Sequence, residues 1–277
     1  VLVFDFKSLY PSIIRTFLVD PVGRVSSSDN RVAGFLGASF SKEEHILPNL
    51  ISELATAREQ AKASRNDILS YAIKIIMNSF YGVLGSNLCR FYHPELASSI
   101  TMRGQQILNQ TRSWFEEEGA SVIYGDTDSL FVIFSDSALA EKQVKKKGKD
   151  LCAKINQKWI EWCQKEYQID CYLELEFEQV YQRFFMPTIR GQVEGSKKRY
   201  AGLANGELIF KGLEAVRSDW TPLAKQFQRT LFERIFNDES AEAFIKEYVE
   251  ALYDGQFDEQ LVYQKRLSRP LNEYTKV

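Results

Sequence analysis

Three aspartates stand where carboxylates could bind divalent metal ions. Asp5 follows the apolar run VLVF, and Asp126 and Asp128 flank Thr127 between two runs rich in β-branched and aromatic residues. Such runs around a polar turn predict a β-hairpin, and strand alternation would place Asp126 and Asp128 on one face. Carboxylates suit Mg²⁺ or Mn²⁺, and two ions about 3.5–4 Å apart serve phosphoryl transfer. Taken alone, an Asp-Thr-Asp tripeptide is more often an ordinary polar turn.

Two predicted helices carry side chains that could bind a polyanion. Arg58 and Lys62 are four residues apart and would project together from one helix. Lys74, Asn78 and Tyr81 would share one side of the next helix. The side expected to pack holds Ile76, Phe80 and Val83. Three cations and an amide suit a nucleoside triphosphate. For Arg58 and Lys62 alone, an exposed helix face is the simpler explanation.

The elements that would position these residues include both strands and helices. Residues 21–41 are rich in Gly, Ser, Asp and Asn and predict a loop. Periodicity predicts the remaining elements: a strand at 1–6, helices at 13–17, 47–63, 69–84 and 101–118, a hairpin through 122–134, a helix at 138–168, a strand at 172–181, short strands within 183–212 and helix within 221–253.

Composition excludes several classes of protein. With 277 residues, 44% of them apolar, the chain can form one large domain or two smaller ones. The formal charge is −2 and no apolar run approaches the roughly 18 residues of a membrane span, so no membrane partner is expected. The four cysteines and two histidines lack zinc spacing, and the absence of a cysteine framework or signal peptide predicts a reducing cytoplasm.

Three motifs in a fixed order carry a family resemblance. Residues 5–14 (DFKSLYPSII) resemble motif A of the family B DNA polymerases, residues 74–82 (KIIMNSFYG) motif B, and residues 124–129 (YGDTDS) motif C. Residues 196–202 (SKKRYAG) and 211–217 (KGLEAVR) are similar to the family's primer-side segments. The resemblance spans nearly the whole chain and is strongest to bacterial members. It implies transfer of a deoxynucleotide to a primer 3′-hydroxyl with release of pyrophosphate.

The resemblance also implies a metal centre. Two Mg²⁺ ions, with Mn²⁺ as an alternative, would be bound by Asp5, the carbonyl of Phe6 and Asp128. Asp126 would be an adjacent catalytic acid, and Lys74 would protonate the pyrophosphate. On the predicted strand 172–181, one of three glutamates, Glu176, is a candidate to approach this centre, although a solvated strand face is equally consistent with the sequence.

Substrate contacts follow from the same resemblance. The backbone amides of Ser8 and Leu9 would bind the triphosphate, and so would the side chains of Arg58, Lys62, Lys74 and Asn78. Tyr10 would lie under the incoming sugar and exclude a 2′-hydroxyl; its simpler role is packing beside Pro11. The residues implied in DNA binding are Tyr81, Gly82, Lys197, Lys198, Arg199, Tyr200, Lys211 and Arg217. The basic run at 145–149 is assigned no role, since such runs are usually solvated.

The fold implied by the resemblance is α+β. A polymerase palm with an antiparallel sheet and packed helices would occupy residues 1–39 and 93–220. A helical fingers insertion would occupy 40–92, and a partial helical thumb 221–277. The implied partners are primer-template DNA and dNTPs, and a sliding clamp bound through other parts of the protein. The implied location is the bacterial cytoplasm, in association with the nucleoid. Because the family's 3′–5′ exonuclease precedes motif A, proofreading is not expected from these residues.

Two alternatives remain open. Another two-metal palm enzyme, such as a nucleotidyl cyclase or an RNA polymerase, would share the paired acids but would need neither motif B nor a tyrosine gate. A degenerate or truncated polymerase fragment would bind nucleic acid or nucleotide without efficient catalysis. Loss of Asp5 or Asp128 would favour that second alternative, and both residues are present.

Overall fold

The computed structural model describes residues 1–134, 141–188, 198–264 and 267–273. Contacts between Cα atoms divide the chain into two compact units. The larger unit is Leu2–Val180, and the smaller unit is Tyr181–Val277 together with Val1. Each unit has its own sheet and its own hydrophobic core.

Helices and strands alternate irregularly in the larger unit. In chain order, its elements are β1 (Leu2–Phe6), α1 (Leu9–Thr16), α2 (Pro21–Val25), β2 (Arg31–Ala33), β3 (Ser39–Ser41), α3 (Leu47–Ala63), α4 (Asp67–Leu84), α5 (Pro94–Glu117), β4 (Ala120–Asp126), β5 (Ser129–Phe134), α6 (Glu141–Tyr167) and β6 (Leu175–Val180).

The main sheet of the larger unit has the strand order β4-β5-β1-β6, and every neighbouring pair is antiparallel. Alternation along the central strand β1 buries Phe4 and Phe6 and leaves Asp5 half-buried. The Phe4 ring lies 4.8 Å from the ring of Phe115 on α5. Each buried phenylalanine contributes roughly 1.5–3 kcal/mol to stability. The helix-covered face of the sheet therefore forms the core. On the other face of β1, Val3 is also buried, and Asp5 at the end of the strand remains partly accessible.

Helices α3 and α4 follow one another closely. Residues 64–66 join them, and Asn66 caps α4 by accepting a hydrogen bond from the N–H of Leu69 at 3.1 Å. Helix α4 buries Ser70, Ile73, Met77 and Leu84. The predicted packing side was wrong at two of its three residues, because Phe80 packs against the core but Ile76 and Val83 are 48% and 49% exposed. A helix with apolar residues on several sides does not indicate by itself which side meets the core.

Residues 21–41 are not the predicted loop. They contain helix α2 and the antiparallel pair β2 and β3, in which Val32 lies opposite Phe40. Both side chains are fully buried. Three-residue strands are too short for alternation to be read from sequence. They form here because the larger unit buries their central residues.

Two helices begin earlier than predicted. Helix α1 begins at Leu9 instead of residue 13, and α5 begins at Pro94 instead of residue 101. Proline is tolerated in the first turn of a helix, where its missing N–H would have no partner within the helix. Pro11 and Pro94 therefore lie inside the first turns of these helices, and they do not separate the helices from the preceding chain.

The smaller unit has a three-stranded antiparallel sheet with the order β7-β8-β9. Its core includes Phe210, Leu213, Phe232 and Phe236. Its elements are β7 (Arg183–Phe185), β8 (Tyr200–Ala204), β9 (Glu207–Lys211), α7 (Pro222–Phe236), α8 (Ala241–Tyr253) and 3₁₀ turns at Glu214–Val216, Asp258–Leu261 and Leu271–Glu273.

Helices and antiparallel sheets in both units confirm the predicted α+β class. The division into palm, fingers and thumb stays a prediction. In the described part of the chain, no helix combines the length and apolar character required to cross a membrane.

Candidate active site

The acidic side of the site is built at the end of β1. Asp5 is paired with Ser129 on β5 and with Glu176 on β6. One residue further, the N–H of Phe6 donates to the carbonyl of Asp128 at 2.8 Å. Backbone hydrogen bonds thus fix the turn that carries Asp128 beside the strand that carries Asp5, although the two aspartates are far apart in sequence.

The turn between β4 and β5 is very tight. The N–H of Asp128 donates to the carbonyl of Asp126 at 2.6 Å, which closes a three-residue γ-turn centred on Thr127. Thr127 has a φ of 55°, a left-handed conformation that β-branched residues rarely adopt. The turn interrupts the strand between Asp126 and Asp128. Strand alternation therefore does not predict that their side chains lie on one face.

Residues from β1, α1, α4 and the turn line one cleft of about 300 Å³. Its lining residues are Asp5, Phe6, Ser8, Leu9, Tyr10, Lys74, Asn78, Thr127 and Asp128. All of them except Thr127 were predicted as site residues. The described residues that line this cleft do not include Asp126, and its role stays a prediction.

Negative charge is concentrated around Asp5. Burial and the neighbouring Asp128, Glu178 and Glu176, in decreasing order of effect, raise the pKa of Asp5 to about 7, while Lys74 acts to lower it. A carboxyl with this pKa is protonated over part of the neutral range. Carboxylates that repel one another favour a bound cation, since its charge relieves the repulsion.

The donor set fits a magnesium ion that is shared with a substrate. In the described part of the chain, no group of three or more His, Cys, Asp or Glu side chains is arranged to hold a metal ion. Mg²⁺ is usually bound by one or two carboxylates together with substrate phosphates, instead of by a complete protein cage. Asp5, Asp128 and the backbone of Phe6 meet this requirement, because all three line the cleft.

A sharp corner connects β1 to α1. Ser8 precedes the helix with φ 49° and ψ 54°, in the left-handed region. The first N–H groups of a helix lack partners within the helix and carry partial positive charge, which favours anions there. Ser8 and Leu9 both line the cleft. The corner therefore places the first N–H groups of α1, a position that favours anions, beside the acidic end of β1.

Tyr10 lies in the first turn of α1 and lines the same cleft. Its ring centroid is 4.6 Å from that of Tyr81 on α4. Burial, followed by Tyr81 and Asp128, raises the pKa of the Tyr10 phenol. Tyr10 is thus held between α4 and the acidic turn, so packing beside Pro11 does not fully describe its environment.

The side chains predicted to bind the triphosphate separate into two groups. Lys74 and Asn78 on α4 line the cleft with the aspartates. On α3, Arg58 lies in a second cavity and reaches the Ser8 hydroxyl at 3.4 Å. Lys62 forms an ion pair with Glu59 at 2.9 Å. The α4 residues therefore lie in the same cleft as Asp5 and Asp128, whereas Arg58 and Lys62 of α3 lie outside it.

Comparisons with known proteins identify the family. The sequence model of the family described as DNA polymerase family B matches residues 1–277. The chain belongs to DNA polymerase family B. It is 52% identical to DNA polymerase II of Escherichia coli over 99% of its own length and 36% of that protein. It is 35% identical to the DNA polymerase of Thermococcus gorgonarius over 99% of its own length and 35% of that protein.

The fold comparison agrees with the family. The structure of the family B DNA polymerase from the hyperthermophilic archaeon Pyrobaculum calidifontis matches with a TM-score of 0.66 and 27% identity, over 99% of this chain and 35% of that one. The chain spans about a third of the length of the family B relatives it matches. The family resemblance predicted from motifs A, B and C is confirmed.

One charged residue of motif A was not assigned a role from the sequence. The Lys7 ammonium lies 3.0 Å from Glu174, 3.9 Å from Glu59 and 4.0 Å from Glu176. Burial acts to lower the pKa of Lys7, but the hydrogen bond to Glu174 and the nearby carboxylates outweigh it and raise the pKa. Lys7 links β6 to α3 next to the acidic residues. No spacing signal identifies such a residue, because its partners come from distant segments.

The DNA-binding residues predicted on α4 have different surroundings. Tyr81 packs against Tyr10, as described above. At Gly82 an added side chain would meet nothing within 4 Å. Gly82 is therefore part of an open surface, where the absence of a side chain leaves room for a ligand to approach the helix backbone.

The residues that the resemblance predicts on the primer side fall in the smaller unit. Tyr200 on β8 is paired with Lys211 on β9. Arg199 forms an ion pair with Glu214, and Arg217 donates two hydrogen bonds to Asp219 at 2.9 and 2.6 Å. Lys198 is exposed, and Lys197 lies outside the described residues. Two of the predicted DNA-binding cations are thus held by carboxylates of their own unit.

Proposed function

We propose that this chain is the catalytic part of a DNA-directed DNA polymerase. It would transfer a deoxynucleotide from a dNTP to the 3′-hydroxyl of a primer on template DNA and release pyrophosphate. The observation that carries the proposal is the single cleft in which Asp5 and Asp128 meet Lys74 and Asn78. Membership of family B supports the choice of substrates.

Two Mg²⁺ ions, with Mn²⁺ as an alternative, are the proposed cofactors. Asp5, the carbonyl of Phe6 and Asp128 would hold them, and Asp126 would add negative charge nearby. Bound divalent ions lower the pKa of an attacking hydroxyl and neutralise charge on a departing pyrophosphate. The sheet residues concentrate negative charge at one point, and this charge adds to the effect of burial in raising the pKa of Asp5.

The remaining cleft residues would bind and orient the triphosphate. The N–H groups of Ser8 and Leu9 would donate to phosphate oxygens. Asn78 would donate a further hydrogen bond, and Lys74 would pair with the phosphates and give a proton to the leaving pyrophosphate. Arg58 and Lys62 lie outside the cleft, so we expect them to reach the phosphates only after α3 moves.

Sugar selection and DNA binding complete the proposal. Tyr10 would support the deoxyribose and clash with a 2′-hydroxyl. Phosphate contacts hold DNA without reading its sequence. The residues proposed for this role are Tyr81, Gly82, Lys197, Lys198, Arg199, Tyr200, Lys211 and Arg217. Because carboxylates hold Arg199 and Arg217, DNA phosphates would share or replace these ion pairs.

The main sheet with α5 and α6 would be the palm, α3 and α4 the fingers, and α7 and α8 the start of the thumb. A sliding clamp would bind through other parts of the protein. The cellular location stays a prediction.

Primer extension on a defined template tests the proposed function. The protein expressed from its complete gene should extend the primer as the template directs, and Asp128→Asn should slow extension by about 10³-fold. Asp150→Asn is the matched control, because Asp150 is an exposed aspartate on α6 outside the cleft. Both variants should melt near the wild-type temperature.

The alternatives give different results in this assay. Wild-type protein that binds primer-template DNA without extending it would favour the degenerate polymerase. Extension that survives Asp128→Asn would contradict the role of this carboxylate. Nucleotide addition that ignores the template would favour another palm enzyme.

A further inference from the structure

Among the described residues, two side-chain hydrogen bonds connect α1 and the preceding Ser8 to α3, and both involve arginines. The Nε of Arg15, near the end of α1, donates to the hydroxyl of Ser52 at 3.0 Å. At the other end of α1, Arg58 of α3 reaches the hydroxyl of Ser8 at 3.4 Å. Ile51 is fully buried next to Ser52. The first contact is therefore short and adjoins the core, whereas the second is long.

Arg15 is held from several sides. Its guanidinium lies 4.0 Å from the centroid of the Tyr172 ring, and the N–H of Tyr172 donates to the Thr16 hydroxyl at 2.9 Å. Stacking of a guanidinium on an aromatic ring is attractive and fixes its plane. The Ser52 hydroxyl donates in turn to the carbonyl of Pro48 at 2.9 Å. The contact between Arg15 and Ser52 thus has a defined geometry that depends on three segments.

Open space lies on both sides of this contact. One cavity, of about 330 Å³, extends from Lys7 and Arg58 to Arg15 and Tyr172. A second, of about 310 Å³, is lined by Arg15 and Tyr172 together with the start of α3. Arg15 and Tyr172 form the wall between the two cavities. Both spaces are clefts open to solvent, so a small tilt of α3 about its buried Ile51 would meet little protein on these two sides.

Arg58 is placed to move with such a tilt. It lies six residues after Ser52, which is about 9 Å along a helix. Its long contact with Ser8 is weak, and its buried Nε has no hydrogen-bond partner among the described residues. Ser8 lines both the cavity that holds Arg58 and the cleft of Asp5. A small rotation of α3 would therefore carry the guanidinium past Ser8 toward the cleft.

We propose that Arg15 is a positioning residue for nucleotide binding and that its contact with Ser52 is the pivot about which α3 tilts. The inference rests on the proposed function, because it concerns how α3 delivers Arg58 to the triphosphate. Without the pivot, α3 adopts the binding orientation for a smaller fraction of the time. The apparent affinity for nucleotide falls by that fraction, whereas the chemistry of a correctly bound nucleotide is unchanged.

The test measures single-nucleotide insertion against dNTP concentration, using protein expressed from the complete gene. Arg15→Met keeps most of the side-chain volume and removes the donor and the charge. We expect the apparent KM for dNTP to rise about 10-fold, with kcat and the Kd for primer-template DNA within twofold of wild type. Ser52→Ala should raise KM about threefold. Arg112→Met is the matched control, because Arg112 is a helical arginine in an exposed ion pair with Glu116 on α5.

A double mutant sharpens the test. Arg15→Met and Ser52→Ala remove the same hydrogen bond, so the double variant should have the KM of Arg15→Met alone. Multiplied effects would contradict a shared pivot. A KM within twofold of wild type for Arg15→Met would overturn the inference. So would a parallel loss of kcat, DNA affinity and melting temperature, which indicates a merely structural role. Failure of the proposed function is distinct, since wild-type protein would then not extend the primer at all.

Discussion

The two sides of the cleft are built differently. On the sheet side, backbone pairing fixes Asp5 and Asp128, and burial, followed by repulsion from Asp128 and the neighbouring glutamates, raises the pKa of Asp5. On the helix side, Lys74 and Asn78 are exposed side chains of α4, and Arg58 lies in a neighbouring cavity on α3. The acids are therefore placed by hydrogen bonds between strands, whereas the cations depend on the packing and orientation of helices.

This difference predicts how each side responds to mutation. A substitution on the sheet side changes charge while the backbone register stays in place. On the helix side, the long side chains and the helices themselves can move, so a substitution there changes how often a group reaches its ligand. The following experiments test whether the effect of charge on the sheet side can be separated from the effect of side-chain position on the helix side.

Among the experiments that follow, the largest effect is expected on the helix side, at Lys74. Lys74→Met removes both a phosphate contact and the proposed proton donor, so kcat for insertion should fall by about 10²–10³-fold. Lys74→Arg keeps the charge but is a much weaker acid, so it should recover nucleotide affinity more than kcat. Lys154→Met is the control, because Lys154 pairs with Glu118 outside this cleft. Equal recovery of KM and kcat by arginine would show that Lys74 provides charge alone.

A smaller effect is expected where the two sides meet, at Tyr10. Tyr10→Ala removes the ring that packs against Tyr81, and preference for deoxyribonucleotides over ribonucleotides should fall by about 10–100-fold. The ratio of kcat/KM for a dNTP and the matching rNTP measures this preference. Tyr81→Ala should weaken it less, because Tyr81 would affect the sugar only through its packing against the Tyr10 ring. Unchanged discrimination in Tyr10→Ala would contradict the steric role.

The smallest effect concerns the stability of the sheet side without metal. The pKa of Asp5 is raised to about 7 from 3.8, so the folded protein binds an extra proton between these values and loses stability as pH rises from about 4 to about 7. Asp5→Asn removes the charge. At pH 8 in EDTA it should raise the free energy of unfolding by about 1–2 kcal/mol, after allowance for solvent screening at a half-buried group.

Chemical denaturation at pH 8 and pH 4 measures this difference, which should nearly disappear at pH 4. Adding Mg²⁺ at pH 8 should stabilise the wild type more than Asp5→Asn, because the ion binds the folded carboxylates. Asp150→Asn provides the baseline for loss of an exposed carboxylate. Lower stability of Asp5→Asn at pH 8 would show that the Asp5 carboxylate is not under electrostatic strain.

Sequence patterns predicted the secondary structure best where the chain has a regular hydrophobic periodicity bounded by clear turn or end signals. Helix α3, helix α4 and the hairpin of β4 and β5 were predicted because each combines periodicity with a clear turn or end signal. The hairpin of β2 and β3 was missed, since burial of Val32 and Phe40 by other segments stabilises it. Local propensity alone does not report such long-range contacts.

The site shows the same distinction. Motif order predicted that Asp5, Asp128 and Lys74 would meet, and they line one cleft. Arg58 was expected in the same group from its spacing with Lys62, but it lies beside Ser8 in another cavity. Spacing along a helix states which residues share a side. It does not state how that helix is oriented against its neighbours, and the orientation determines which ligand those residues can reach.

The register of β1 couples folding to chemistry. The alternation that buries Phe4 and Phe6 also turns Asp5 toward the cleft. A slip of one residue against β5 would exchange these faces, expose aromatic rings to water and bury a carboxylate. Such a misfolded sheet would be unstable as well as inactive. The hydrophobic pattern of Leu2–Phe6 thus selects the correct register of β1, because the pairing that completes the core is the one that brings the two aspartates together.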